Sequence, residues 1–168
     1  SAETNLEAEA RESVHRHRLT LQRCIAEHPD FATSLKPLSL SRSEPLLAEM
    51  LRAGAVCNVG PMAAVAGVIA EFVGRDLLSL SPQVIVENGG DLFLATHEER
   101  VISIFAGESP FSERLGLRIP AAAQPLGVCT SSGTVGPSLS FGRADAATVV
   151  ARSTALADAA ATALANRV

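Results

Sequence analysis

The stretch QVIVENGGDLFLA, residues 83–95, decides the fold that we predict. Two short apolar runs, residues 83–86 and 92–95, flank an Asn-Gly-Gly-Asp cluster whose residue types favour a tight turn between two strands. The tip of this turn also offers a carboxylate, an amide and flexible backbone, which are useful for recognising a heterocycle or a ribose. Tight turns use the same residues for conformation alone, so that alternative stays open.

Further short strands are expected on the C-terminal side of this turn. Runs of apolar and β-branched residues predict them at residues 100–106, 115–119, 127–130 and 146–151. The strands therefore form one block in the second half of the chain, joined by short turns.

Helices are expected at both ends of the chain. The spacing of apolar residues predicts an amphipathic leading helix over residues 6–28 and a short helix over 44–53. Residues 59–73 are apolar almost all round, which is typical of a buried helix, and Ser153 is placed to cap a last Ala-rich helix that runs to about Asn166. Residues 30–45, rich in Pro and Ser, are expected to be a loop.

This order of elements predicts an α+β fold of two layers, a mainly antiparallel sheet covered by helices. We expect a single domain over residues 1–168, because this length suffices for one hydrophobic core. A balance of 14 basic against 18 acidic residues, with no basic stripe, excludes nucleic acid as an expected partner. No apolar stretch is long enough to predict a membrane span.

Cys24, Cys57 and Cys129 lack the spacing of a zinc site or a disulfide framework, so we expect free thiols and a cytoplasmic location. Cys129 could be a nucleophile, but no evident base flanks it, and a buried structural role is the favoured alternative. The histidines are too scattered to predict a metal site. The chain has neither Trp nor Tyr, so stacking on a ligand ring would need one of its six Phe residues.

Asp158 and Thr162 are four residues apart on the predicted last helix, so both side chains project from one face. A carboxylate and a hydroxyl suit a hard cation such as Mg²⁺, which keeps several waters and often bridges substrate phosphates. In the alternative, Asp158 is solvated and the Thr162 hydroxyl bonds back to its own helix. A hydroxyl-rich run, residues 130–134, could cradle a phosphate or a ring edge, or could be an ordinary turn.

Four stretches taken together, residues 59–67, 86–91, 130–134 and 157–164, resemble the ApbE-like superfamily in composition and in order. Its best-known members are FAD:protein FMN transferases, formerly called thiamine-biosynthesis lipoproteins, whose Asp-x-x-x-Thr metal motif is similar to Asp158 and Thr162. The whole chain, including its Glu-Thr-Asn-Leu start at residues 3–6, looks closest to a small branch of uncharacterised proteins in that superfamily.

The resemblance implies a T-fold-like architecture with the family motifs in a core of residues 59–168. It implies that Mg²⁺ on Asp158 and Thr162 holds the pyrophosphate of FAD, whose FMN half the transferases pass to a protein hydroxyl. The residues that it assigns to FAD or FMN are Gly60, Met62, Asn88, Gly89, Gly90, Asp91, Thr130, Ser131, Ser132, Gly133 and Thr134.

The chain departs from the transferases in three places. Residues 60–65 lack the lysine of their glycine-rich step, residues 136–138 and 142–145 replace their His and Asp-Pro stretch, and the N-terminal part is expected to lack a segment. Three functions therefore stay open: a Mg²⁺-dependent flavin transferase or FAD-cleaving enzyme, a flavin or nucleotide binder without turnover, and a structural protein that forms oligomers. The partner that we expect is a flavin nucleotide, and self-association into a homo-oligomer stays open.

Overall fold

The computed structural model describes residue 2, residues 5–136 and residues 139–168. Part of the start motif, residues 3 and 4, and part of the stretch that replaces the transferases' histidine, residues 137 and 138, lie outside the described residues. All structural statements below concern the described part of the chain.

The first and last helices have the predicted bounds to within about one residue, whereas the helix predicted over residues 44–53 continues to Cys57, and the one predicted over 59–73 begins only at Val65 and runs to Leu77. The helices are α1 (Glu7–Glu27), α2 (Asp30–Thr33), α3 (Pro45–Cys57), α4 (Val65–Leu77) and α5 (Thr154–Ala165), with short 3₁₀ turns at Pro61–Ala64 and Ala121–Ala123. The short helix α2 corrects the prediction of an unbroken loop over residues 30–45, because the Phe31 side chain is fully buried and ties this turn to the core. The predicted cap of α5 is present, since Ser153 Oγ accepts a hydrogen bond of 3.1 Å from Leu156 N.

The strands are β1 (Val84–Asn88), β2 (Asp91–Ala95), β3 (Arg100–Ser103), β4 (Gly116–Ile119), β5 (Leu126–Ser131) and β6 (Ala147–Ala151). They form a four-stranded sheet in the order β1-β2-β5-β6 and a separate β3-β4 hairpin, and every pair is antiparallel. The α+β class with antiparallel sheets packed on helices is therefore as predicted. The sequence did not indicate that β3 and β4 leave the main sheet.

The alternation of side chains along the strands explains how both faces of the sheet are covered. On one face, Val84 joins the main core with α1, α3 and α4, and Phe93 packs on Ala70 of α4. On the other face, Leu94 and Val128 pack against the β3-β4 hairpin. Successive strand residues point to opposite faces, so a two-residue period delivers apolar side chains to both.

Helix α5 lies unusually close to its neighbours because two glycines leave room for its first turn. A Cβ built on Gly67 of α4 would stand 2.5 Å from the Thr154 carbonyl oxygen, and one on Gly127 of β5 would stand 2.5 Å from Thr154 Cα. Neither distance is compatible with a real side chain. The helix that carries Asp158 and Thr162 is therefore positioned by backbone contacts on two sides.

Among the described residues, no single helix has both the length and the apolar character to cross a membrane; the segments Pro45–Cys57 and Pro61–Leu77 qualify only as a pair, bent by 106°. The three cysteines are free, as predicted.

Candidate functional site

A cavity of about 600 Å³ lies where α5, the β1-β2 turn and the end of β5 meet. This volume is within the range of roughly 300–1,000 Å³ that is common for ligand pockets. Eleven of the thirteen residues singled out in the sequence line it: Gly60, Met62, Asn88, Gly89, Gly90, Asp91, Thr130, Ser131, Ser132, Asp158 and Thr162. The first and last of these, Gly60 and Thr162, are 102 positions apart, so the fold gathers them from most of the chain.

The β1-β2 turn forms one wall of the cavity and has the tight geometry that the sequence predicts. Gly89 and Gly90 both have positive φ, 65° and 99°, which a residue with a side chain rarely adopts. Glu87 accepts a hydrogen bond of 2.7 Å from Gly90 N, and the Asn88 side chain donates one of 3.1 Å to the Ala66 carbonyl oxygen. The amide of Asn88 thus fixes the turn to the start of α4.

Asp158 lies at the inner end of the cavity and is almost fully buried, with 9% of its surface exposed. Its Oδ2 accepts a hydrogen bond of 2.8 Å from Gly67 N, near the beginning of α4. A Cβ on Gly67 would be 2.8 Å from Asp158 Cβ, so the missing side chain lets the carboxylate approach this amide. The dipole of α4 favours a negative charge at that end.

A second buried carboxylate, Asp91, lies within hydrogen-bonding reach of Asp158. Burial raises the pKa of Asp91 to about 6, although a hydrogen bond of 3.2 Å from Thr130 N opposes the shift. Burial, and then the charge of Asp91, raise the pKa of Asp158 well above its ordinary value. Two carboxylates this close in a dry site cannot both ionise at little cost, so the pair favours a shared proton or a bound cation.

Cys129 lies beside this pair and is fully buried. Burial and the neighbouring carboxylates raise the pKa of its thiol, and its Sγ donates to the Thr154 carbonyl oxygen at 3.4 Å. A thiol that is kept protonated is a poor nucleophile. The surroundings therefore favour the structural alternative for Cys129.

Thr162 is half-buried, one turn after Asp158, and within residues 5–136 and 139–168 its hydroxyl makes no hydrogen bond. The alternative in which this hydroxyl bonds back to its own helix is therefore not observed. In the same described part of the chain, no group of three His, Cys, Asp or Glu side chains is arranged to hold a metal. Mg²⁺ does not require such a group, because it is often held by one or two carboxylates, waters and substrate phosphates.

The oxygen atoms of Asp158 and Thr162 thus fit Mg²⁺ in their chemistry, and the repulsion between Asp158 and Asp91 would be relieved by any cation placed there. Among the described residues that line the cavity, none is Lys, Arg or His. An anionic ligand would therefore meet two carboxylates and no compensating side-chain charge.

Gly133 and Thr134 are the two predicted site residues that the structure does not bring to the cavity. Gly133 N donates a hydrogen bond of 2.8 Å to the Ala144 carbonyl oxygen, and Thr134 Oγ1 donates one of 2.9 Å to Asp145. Both residues fasten the connection between β5 and β6. Within the hydroxyl-rich run, Thr130, Ser131 and Ser132 alone face the cavity.

Sequence reasoning missed several lining residues, most of them apolar. They come from the segment before α3, the end of β3, the β5-β6 connection, β6 and the end of α5: Leu35, Ile102, Ile104, Phe105, Val135, Leu139, Phe141, Thr148 and Asn166. Only Asn166 carried a signal, because it follows Thr162 by four residues and so continues the row of Asp158 and Thr162.

The comparisons with known proteins cover nearly the whole chain. A sequence model of the family described as AbpE bacteria matches residues 1–168. A UPF0280 protein of Methanococcus aeolicus is 42% identical over 161 residues, which are 94% of this chain and 65% of that protein. A UPF0280 protein of Methanocaldococcus jannaschii is 44% identical, and the match covers 94% of this chain and 65% of that protein. A UPF0280 protein of Methanothrix thermoacetophila is 43% identical, and the match covers 95% of this chain and 68% of that protein. The chain spans about 65% of the length of the first of these curated relatives.

Proposed function

The chain belongs to the family described as AbpE bacteria, and we propose that it is an ApbE-like protein that binds a flavin nucleotide, FAD or FMN, together with Mg²⁺ in the cavity. The observation that carries this proposal is the meeting of Asp158 and Thr162 with the glycine turn and the hydroxyl-rich run around one cavity of about 600 Å³. These are the motifs on which the resemblance to the flavin transferases rests.

The charges in the cavity support a requirement for a cation. Flavin nucleotides are anionic, whereas the described lining holds two carboxylates and no basic side chain. Asp158 and Thr162 would hold Mg²⁺, which when bound supplies positive charge against the phosphate groups. The apolar part of the lining, including Met62 and Phe105, would receive the ring system of the flavin.

Titration calorimetry of the purified protein with FAD and with FMN tests the proposal. We expect binding in the presence of Mg²⁺ and a loss of at least about tenfold in affinity when the metal is withheld. Sodium chloride at the same ionic strength is the control for a general salt effect. Equal affinity with and without Mg²⁺, or no binding of either flavin, would contradict the proposal.

Cleavage of FAD is a second candidate, favoured by the carboxylate of Asp91 at the cavity wall. In this reaction water attacks one phosphorus of the pyrophosphate, the bridging P–O bond breaks, and FMN and AMP are the products. Asp91 would accept the proton of the attacking water, as a buried carboxylate with a pKa of about 6 can do near neutral pH. In the related candidate, FMN transfer, a protein hydroxyl replaces the water.

Chromatography of FAD that has been incubated with the protein and Mg²⁺ separates these candidates from simple binding. Release of FMN and AMP that is lost in Asp91→Asn supports cleavage. Recovery of intact FAD after prolonged incubation, with binding retained, supports a binder without turnover, which the missing lysine and histidine also favour.

A further inference from the structure

The last helix carries three polar side chains in one row along the cavity. Asp158, Thr162 and Asn166 follow one another at intervals of four residues, and all three line the cavity. Asn166 is the C-cap of α5, so its side chain lies at the end of the helix. The roles proposed for Asp158 and Thr162 leave Asn166 without an assigned function.

The side chain of Asn166 holds a segment that returns toward β6. Its Oδ1 accepts a hydrogen bond of 2.8 Å from Phe141 N and one of 3.3 Å from Ser140 Oγ. A third hydrogen bond, of 2.7 Å, runs from Arg143 N to the Val168 carbonyl oxygen. A Cβ on Gly142 would stand 1.7 Å from the Ala165 carbonyl oxygen, so the backbone of this segment packs directly on the end of α5.

The segment places an apolar side chain where a ligand would meet it. Phe141 lines the cavity while 66% of its surface is exposed, and Phe105, 58% exposed, lines the same cavity from beyond the end of β3. An exposed Phe side chain forgoes the favourable transfer of its ring out of water unless something covers it. A planar aromatic ligand would cover such a ring and gain from the contact.

We propose that Asn166 is a positioning residue that holds Phe141 at the cavity, and that Phe141 covers the ring system of the bound flavin. This inference rests on the proposed function and extends it by assigning the residues that receive the ring. The row on α5 then serves both halves of the ligand: Asp158 and Thr162 at the phosphate end, and Asn166, through Phe141, at the ring end.

The positioning role can be tested without any ligand. Hydrogen exchange of the Phe141 amide is expected to speed up in Asn166→Leu, because its acceptor is lost, and to stay slow in Asn166→Asp, which keeps an oxygen at that place. The amide of Arg143, bonded to Val168, is the internal control. Unchanged exchange at Phe141 in Asn166→Leu would overturn the positioning role.

The contact with the ring is tested with FMN in the presence of Mg²⁺. Phe141→Ala and Asn166→Leu are expected to lower the affinity for FMN about tenfold, and Asn166→Asp to restore it. Phe111→Ala is the matched control, since Phe111 is 62% exposed and does not line the cavity. Circular dichroism checks that each variant is folded, and Phe141→Ala removes an exposed side chain that the core does not need.

The outcomes separate this inference from the function on which it rests. No binding of either FAD or FMN by the wild-type protein would overturn the proposed function, and if FAD alone binds, the same variants are compared with FAD. Equal binding by the wild type, Phe141→Ala and Asn166→Leu would overturn the inference and leave the proposed function standing.

Discussion

Asp76, where α1 packs on α4, is partly buried, with 37% of its side chain exposed, whereas Asp91 and Asp158 in the cavity are almost fully buried, and the neighbours of these carboxylates also differ. Asp76 Oδ2 accepts hydrogen bonds of 2.6 Å from Ser13 and from Arg16, and His17 Nε2 lies 2.8 Å away. Burial alone would raise the pKa of Asp76, yet these three donors outweigh it and hold that pKa below its ordinary value.

In the cavity, by contrast, the effect of burial on the pKa outweighs that of the hydrogen bonds. Asp91 and Asp158 receive backbone hydrogen bonds from Thr130 and Gly67, but each also faces the other carboxylate, and their pKa values are raised. Asp76 is therefore arranged to stabilise the fold, whereas the pair is arranged at the expense of stability. Unfavourable burial of this kind is common at functional sites, and four predictions test or sharpen the contrast.

The largest effect is expected from Asp158→Asn, which keeps the shape of the side chain and removes its charge. The affinity for FAD in Mg²⁺ should fall about a hundredfold, since the metal loses its carboxylate. The free energy of unfolding should stay the same or rise, because the like-charge contact with Asp91 disappears. Calorimetry and urea denaturation measure the two quantities.

The exposed Glu108 provides the control for this variant. Glu108→Gln also removes one negative charge but lies away from the cavity, so it should leave both quantities unchanged. A large loss of stability in Asp158→Asn would show that the Asp158 carboxylate stabilises the fold, as Asp76 does, and would contradict the contrast.

Asp76→Asn should have the opposite effect on the fold. A neutral amide oxygen accepts hydrogen bonds more weakly than a carboxylate oxygen does, so the three hydrogen bonds to this side chain should weaken. The free energy of unfolding should fall by about 1–2 kcal/mol, a value that already allows for the partial exposure of the site. Flavin affinity should be unchanged because α1 is remote from the cavity lining. Urea denaturation detects the change, and an unaltered midpoint would show that the three donors contribute nothing to docking α1.

The two regions should also respond to pH in opposite directions. Because its pKa is raised in the folded protein, Asp91 contributes to the free energy of unfolding when it is protonated. This contribution is fully present below an unfolded pKa of about 4 and is lost as the pH rises through about 6. Asp91→Asn should therefore become more stable relative to the wild type over this interval. The contribution of ionised Asp76 to the free energy of unfolding is present above its ordinary pKa and is lost as the pH falls through its lowered pKa. The difference in stability between the wild type and Asp76→Asn should therefore shrink in acid.

Urea midpoints of the wild type and Asp91→Asn, measured between about pH 4 and pH 8, follow the first difference, and those of the wild type and Asp76→Asn, measured from about pH 5 down to about pH 2, follow the second. Parallel curves for Asp91→Asn and the wild type would contradict a raised pKa at Asp91.

The smallest effect on the fold is expected from Thr162→Val, which replaces a hydroxyl by a methyl group of similar size. Since the hydroxyl has no hydrogen-bond partner among the described residues, the free energy of unfolding should change by less than about 0.5 kcal/mol. The affinity for FAD in Mg²⁺ should fall severalfold, and in EDTA it should not change. Equal affinity in Mg²⁺ would remove Thr162 from the metal site.

These regions also show where sequence reasoning reaches its limit. The spacing of Asp158 and Thr162 and the glycine turn at residues 88–91 are local patterns, and local geometry follows from them. The contact of Asp91 with Asp158 joins residues far apart in the chain, and it depends on how β2 and α5 pack. No local pattern carries that information, so the pair was not predicted as a unit.

The apolar walls were missed for a related reason. Phe105 and Phe141 lie in connections without periodicity, and their relation to the cavity depends on the β3-β4 hairpin leaving the main sheet and on the hydrogen bonds to Asn166. The predicted third strand, residues 100–106, was also too long, because β3 ends at Ser103 and only Ile104 continues its pairing, through backbone hydrogen bonds with Glu113 and Leu115. Polar motifs indicated the site, whereas its apolar surface required tertiary structure.

The close packing of Gly67 and Gly127 around Thr154 has a consequence for protein engineering. Because backbone contacts fix the first turn of α5, the half-buried side chain at residue 162 can be exchanged without repacking the interior, whereas residues 158 and 166 make hydrogen bonds to neighbouring segments. A library at residue 162 would present new ligands on an unchanged support, whereas substitution of either glycine would displace residues 158, 162 and 166 at once.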